Sequence, residues 1–319
     1  MVSRLEQHRS PEPFPPIHDA EHLVDTHRSK FGKVLEFRDF AAFDALKDKL
    51  ISLNPERAED FSDDIRRIHP NLPYSVKIKS LEKILERYSP HTLGHVLMGR
   101  GLVDHLKSRK EIGILQSLRL DDLAEAIESH DFGKLGMRDS TLNVAHDKDH
   151  SYNPQEIHEK EAHPILGRML LSYLKFPDFS QRIALTHHLR YETVDGKPQL
   201  IGYPVKEFED YCDLSNLPHT LKPEDHLAAF IDVFSALTDV NRVTNKHGTN
   251  DSGLSEEKRK RLAFEVMDQD YFKDDFYQRG AGAPLLQAFK KAMLEESHDH
   301  PKRKIALEES HDHPQRLAS

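Results

Sequence analysis

The chain has 319 residues, a formal net charge of -9 with histidine neutral, and a single cysteine, Cys212. The negative balance argues against duplex DNA as the main partner, because DNA affinity comes largely from neutralised phosphates, and one cysteine excludes an internal disulfide framework. Histidine is in excess, with 22 copies against 14 glycines and 16 phenylalanines, and it is the commonest metal ligand.

No stretch approaches the roughly 18 apolar residues of a membrane helix. The N-terminal MVSRLEQHRS lacks the apolar block of a secretory signal. A cytoplasmic protein with no membrane partner is therefore expected. Residues 1–30, with Pro11, Pro13, Pro15 and Pro16, read as an irregular lead. From Phe31 to about Leu53 the pattern is helical, with Phe40, Phe43, Leu46 and Leu50 at steps of three and four. Asn54-Pro55 reads as a helix boundary. A helix from about Val76 to Tyr88 carries Ile78, Leu81, Ile84 and Leu85 on one face. Further helical runs are expected over 93–108, 120–130, 156–175, 178–188, 223–239 and 255–268, with few strand-like stretches. An all-α fold follows. Glu192 to Pro223 reads as one long loop, rich in glycine and proline. The tail repeats EESHDHP at Glu295–Pro301 and Glu308–Pro314, with four histidines, and reads as a solvated, flexible segment.

The chemistry concentrates between His91 and Asp232. In Ser129-His130-Asp131-Phe132-Gly133-Lys134, adjacent His and Asp can chelate from a helix end, and Gly133 lets the backbone leave the helix. Lys134 adds a positive charge. His91 and His95, four apart, share a helix face. His163 opens the run HPILGRMLLSYL, where Pro164 suits a helix start. His187-His188 closes FSQRIALTHH. Asp232 lies in the apolar LAAFIDVFSAL, where a bare carboxylate costs several kcal/mol unless paired or bound to a cation. Ala228, Ala229, Ser235 and Ala236 make its own stripe small, which suits a lined metal pocket. His146, Asp147, Asp149 and His150 read as a solvated polar cluster.

This order, His, His-Asp, His, His-His, Asp, resembles the HD superfamily of metal-dependent phosphohydrolases, and more specifically its HD-GYP family. The family's HDIGK-like motif is matched by His130–Lys134, its His-Pro by His163-Pro164, its GYP by Gly202-Tyr203-Pro204, and its Asp-x-x-x-Ala-Leu-Thr helix by Asp232–Thr238. The likeness covers roughly residues 85–290. It implies an HD-domain helical bundle over 76–290, with a mostly helical N-terminal extension over 1–75, regulatory or packing in role, and a flexible tail over 291–319. It also implies two or three divalent metals. Iron or manganese suits the nitrogen and oxygen donors, with nickel, magnesium or zinc as alternatives. By position, His95, His130, Asp131, His163, His187, His188 and Asp232 look like ligands, with Asp131 bridging. His91 could replace His95 as the first ligand or add to it. The implied reaction is phosphodiester hydrolysis of a cyclic dinucleotide such as cyclic di-GMP through a metal-bridging hydroxide. Asp131 and Lys134 would be the catalytic groups, and Lys134, Arg242 and Tyr203 the contacts to the substrate.

Three positions depart from the family. Leu189 replaces the usual Glu after His-His, the segment from His188 to Gly202 is long, and Thr238–Val243 lacks Arg-Pro-Tyr. Two other functions therefore stay open: hydrolysis of another nucleotide or a phosphomonoester, and a non-catalytic nucleotide-binding signalling module. The partner expected in every case is a small anionic nucleotide. A homodimer through helices is compatible with the sequence.

Overall fold

The computed structural model describes residues 40–109, 112–144, 151–203, 221–242 and 247–295. The tail repeat, the His146–His150 cluster, Cys212, Pro204 and most of the Glu192–Pro223 segment lie outside them. Among the described residues the fold is all-α with one two-stranded sheet. The helices are α1 (Phe40–Leu53), α2 (Pro55–Arg66), α3 (Tyr74–Tyr88), α4 (Pro90–Lys107), α5 (Leu120–Ser129), α6 (Asp139–Asn143), α7 (Pro154–Tyr173), α8 (Asp178–Thr186), α9 (Pro223–Thr238), α10 (Glu256–Val266), α11 (Asp275–Gln278) and α12 (Ala283–Leu294). None of them is long and apolar enough to cross a membrane.

Local chemistry sets the starts. Asn54 ends α1 and caps α2, its side chain accepting from the Arg57 amide, with Pro55 in the first turn where a missing N–H costs nothing. Ser89 and Pro90 do the same for α4. Asn153 and Glu156 form a capping box on α7. Two large cores result. One surrounds α9, where Leu227, Ala228, Phe230, Ile231 and Phe234 meet α5, α10 and α12. The other joins α1 to α3 with α7: Leu46, Leu50, Phe61, Ile65 and Leu81 pack with Phe132, Leu135 and Leu166. Residues before 76 thus share a core with the segment that follows His130-Asp131.

Two expectations need correction. The segment after His188 does not begin as an irregular loop. Strands β1 (Arg190–Val194) and β2 (Lys197–Ile201) form an antiparallel hairpin in which Val194 pairs with Lys197. Asp195 and Gly196 supply the two positive φ angles, 51° and 75°, that a tight two-residue turn demands. Pro164 is not at a helix start either, but in the middle of α7. A proline there leaves the carbonyl four residues earlier, that of Lys160, without its helical donor. The His163 ring takes that place, with Nδ1 2.5 Å from the Lys160 carbonyl oxygen.

Candidate metal centre

Five helices deliver seven side chains to one buried point. His95 comes from the middle of α4, His130 from the residue that ends α5, His163 from α7, His187 from the residue that ends α8, and Asp232 from α9. Asp131 and His188 follow His130 and His187 directly. The turn after Asp131, the 3-10 segment Phe132–Gly136, sits directly against α7. Gly133 makes that approach feasible: a Cβ there would lie 1.9 Å from the His163 carbonyl oxygen and 2.5 Å from the Gly167 nitrogen. The outer side of the turn is held from α2, where the Arg57 Nε donates to the Leu135 carbonyl at 3.2 Å.

The seven form two groups that share a carboxylate. Asp131, His163, His187 and His188 converge on one side, and His95, His130, Asp131 and Asp232 on the other, with the ligand atoms of each group within 4.8 Å of one another. Asp131 is the common member. Its Oδ1 is 3.2 Å from His163 Nε2 and 3.6 Å from His187 Nε2, and its Oδ2 is 3.6 Å from His130 Nε2. Asp232 sets Oδ1 2.9 Å from His95 Nε2 and Oδ2 3.4 Å from His188 Nδ1.

The hydrogen bonds around the rings fix which nitrogen faces inward. His130, His163 and His187 each place Nδ1 against the carbonyl oxygen three residues earlier, on Ile127, Lys160 and Ala184. A neutral ring that donates from Nδ1 offers only a lone pair at Nε2. His163 Nε2 therefore faces His187 Nε2 at 3.2 Å and the Asp131 carboxylate at the same distance, acceptor against acceptor. Burial pushes His163 down to about 4, so no proton at neutral pH relieves that convergence. His130 Nε2, Asp131 Oδ1 and His188 Nε2 are buried without a hydrogen-bond partner. A cation in each of the two groups would satisfy these atoms. Nitrogen and oxygen donors without thiolate, with outer ring N–H groups tied to carbonyls, are a fit donor set for divalent metal ions.

The charges agree. Burial alone would raise Asp131 and Asp232. Lys134 and His130 instead hold Asp131 well below its usual range, and His188, His130 and His95 do so for Asp232. Burial would lower His130, but Asp131 and Asp232 outweigh it and raise the ring. Lys134 Nζ lies 2.6 Å from Asp131 Oδ2.

Of the residues expected from sequence, His95, His130, Asp131, His163, His187, His188 and Asp232 meet here. His91, one turn before His95, is exposed and belongs to neither group. A turn of helix is about 5.4 Å along the axis, which carries it out toward the surface. Leu189, noted above as a departure from the resemblance, is a fully buried core residue packed with Ile165 and Leu185, and supplies no ligand atom. Tyr203 packs against His188 with ring centroids 4.2 Å apart and planes tilted by 38°. Gly202 sets it there, with φ at +107° and a hypothetical Cβ only 2.2 Å from the His188 carbonyl oxygen. Arg242 is half-buried, and its charge, secondary to burial, helps lower His95 and Lys160. His105, His226 and His247 engage Ala292, Tyr277 and Asp270, away from the seven.

Lys160 and Tyr152 escaped the sequence reading. Lys160 lies one turn before His163 on α7, with Nζ 5.0 Å from the Tyr152 ring and 5.7 Å from the Tyr203 ring. The i, i+3 spacing to His163 was the available signal for Lys160. Tyr152, in the residues leading into α7, had none.

No family model matches the chain, and no curated protein matches it. Among solved structures, the HD domain of the L. monocytogenes phosphodiesterase PgpH, crystallised in complex with cyclic di-AMP, is similar over 67% of this chain and 94% of that one, at 15% identity and a TM-score of 0.43. A second structure of the same domain gives the same identity and TM-score over 67% and 95% of the two chains.

Proposed function

We propose that this protein is a metal-dependent phosphodiesterase of the HD type that hydrolyses a cyclic dinucleotide. The observation that carries the reading is the pair of four-ligand groups sharing Asp131. A shared carboxylate is the element that keeps two cations close, and two metals about 3.5–4 Å apart suit an in-line displacement at phosphorus. Divalent ions held there would polarise the phosphoryl oxygens and lower the pKa of water; iron or manganese fits the donors best. Asp131 and Asp232, ionised across the working pH range, carry the negative charge that offsets those ions. The Nδ1 hydrogen bonds keep His130, His163 and His187 in the tautomer that presents Nε2. Lys134, anchored on Asp131, is placed to meet a phosphoryl oxygen or to orient the attacking water. Arg242 would meet an anionic phosphate, and Tyr203, beside His188, would offer a ring face to a base or ribose.

A second reading is hydrolysis of another nucleotide or a phosphomonoester. The core position of Leu189 favours it, since the family's carboxylate is missing there. One experiment separates the readings. Protein purified without added metal is analysed for its elements, then loaded with iron, manganese or nickel and incubated with cyclic di-GMP, cyclic di-AMP and a panel of mononucleotides. Linear dinucleotide product is expected, and Asp131→Ala should abolish it. Cleavage of monoesters alone decides for the second reading. Metal binding without turnover of any substrate leaves a nucleotide-binding module and sinks both.

A further inference from the structure

Lys134 and Lys160 are both close to the candidate metal centre, but their charges are not equivalent. Lys134 is neutralised at short range by Asp131. Lys160 has no ion pair and no hydrogen bond from its ammonium among the described residues. Its neighbours are the Tyr152 and Tyr203 rings, the second of which packs against His188. Lys134 and Arg242 act on Lys160 as like charges. Cations over aromatic faces are held by the ring quadrupole without losing their charge. Glu161 and Asp232 offset part of that repulsion, but neither forms a contact ion pair with Lys160 among the described residues, so its ammonium keeps room for an anion. An arrangement of that kind is unfavourable for the protein alone and favourable once an anion arrives.

We propose that Lys160 holds the second, non-scissile phosphate of a two-phosphate cyclic substrate, with Tyr152 and Tyr203 aiming its ammonium. The inference rests on the cyclic dinucleotide reading above. One phosphate of such a ring is engaged at the ligand groups and Lys134. The other must be desolvated too, and an unpaired buried phosphate is costly unless a cation meets it. Lys160 is a half-buried cation whose ammonium, among the described residues, is free to do so. Its side chain can be changed without touching the His163 ring, because that ring is held by the Lys160 backbone carbonyl.

The test is calorimetric titration of the full, manganese-loaded chain with phosphorothioate analogues of cyclic di-GMP and cyclic di-AMP, chosen to resist turnover, against the one-phosphate comparators 5′-GMP and 5′-AMP. Lys160→Met should weaken cyclic dinucleotide binding by about tenfold or more, ~1.4 kcal/mol, and weaken mononucleotide binding less. Lys160→Arg should recover most of the loss. Equal affinities of wild type and Lys160→Met overturn the assignment, as do equal losses for both ligand types or a failure of arginine to rescue with the circular dichroism unchanged. Turnover of bis(p-nitrophenyl) phosphate by the metal-loaded wild type, read separately, keeps the two ideas apart. A chain that cleaves this diester but binds neither cyclic dinucleotide overturns the Lys160 assignment and leaves a hydrolase. A chain that cleaves nothing but shows the Lys160-dependent binding overturns the hydrolase and supports Lys160.

Discussion

Gly133→Ala tests whether the metal centre depends on the contact between the Asp131 turn and α7. The added Cβ would stand 1.9 Å from the His163 carbonyl oxygen, 2.5 Å from the Gly167 nitrogen and 2.9 Å from the Gly167 Cα. All three are backbone atoms, so no rotamer change relieves them. A comfortable non-bonded contact is about 3.5 Å, so the turn and the helix must part by roughly 1.5 Å. His130-Asp131 lies on one side of that opening and His163 on the other. Metal–ligand distances tolerate about 0.2 Å, so the group containing Asp131 and His163 loses its geometry. Overpacking of this kind costs about 1–3 kcal/mol of stability.

The expected result is a folded protein with about 10–100-fold weaker metal affinity, the scale on which disturbing the groups that orient metal ligands acts. Chelator-competition titration with manganese measures it, at a urea concentration and temperature where circular dichroism shows native helix. Gly101→Ala is the control. Gly101 is exposed on α4, and a Cβ added there would have nothing within 4 Å; alanine should stabilise that helix by about 0.5–1 kcal/mol. Wild-type metal affinity and stoichiometry in Gly133→Ala would refute the reasoning, because the steric conflict would then be absorbed somewhere that does not reach the ligands.

Asp232→Ala should lower the metal content by one ion per chain while the group around His163 keeps its own; an unchanged ratio by elemental analysis contradicts two groups sharing Asp131. Gly202→Ala forces a side chain into φ +107° and against the His188 carbonyl, so urea denaturation should show a loss of about 1–3 kcal/mol, and an unchanged midpoint counts against the placement of Tyr203. His226 is buried beside the Tyr277 hydroxyl, and burial lowers it to about 4. The unfolded chain then takes up a proton near pH 6.5 that the native state refuses until about pH 4. That contribution to stability is complete above about pH 6.5, falls as pH drops toward 4, and amounts to up to about 3 kcal/mol. His226→Gln should flatten the wild-type dependence of the urea midpoint between pH 7 and 4.5; parallel profiles would contradict it.

The legible parts of the site were those where chemistry is local. A histidine and an aspartate side by side, followed by a glycine, can be recognised because helix termination and chelation are decided within a few residues. Asp232 was legible for the opposite reason: a carboxylate among apolar neighbours needs a partner wherever the chain goes. The hairpin was also written in the sequence, as Asp195-Gly196 between Val194 and Lys197, but the glycines and prolines around it read equally well as loop. Tyr152 was not legible, because its relation to the site arises only when the start of α7 meets the ring that Gly202 places on His188. That His95 and not His91 lies in the buried cluster follows from the depth of α4 in the fold, which periodicity does not give.

Pro164 shows why a rule that holds on average can fail at a functional position. A proline inside a helix costs about 3 kcal/mol or more, largely through the hydrogen bond it cannot donate. In α7 the orphaned acceptor is the Lys160 carbonyl, and the ring of His163 supplies a donor to it. That one substitution of partners has two further effects. It holds the His163 proton on Nδ1, so that Nε2 faces Asp131 as a lone pair, and it fixes the backbone at Lys160, whose side chain meets Tyr152 and Tyr203. The cost of the proline is thus offset within the helix by a bond that also orients a candidate ligand. A sequence scale scores Pro164 and His163 separately and sees a helix start; only their joint geometry makes the interior position stable. If that coupling holds, His163→Phe should destabilise the metal-free protein by more than a ring of similar size predicts, and Pro164→Ala should recover part of the loss by restoring a donor to Lys160. Equal effects of His163→Phe with and without Pro164 would show that the two residues act independently.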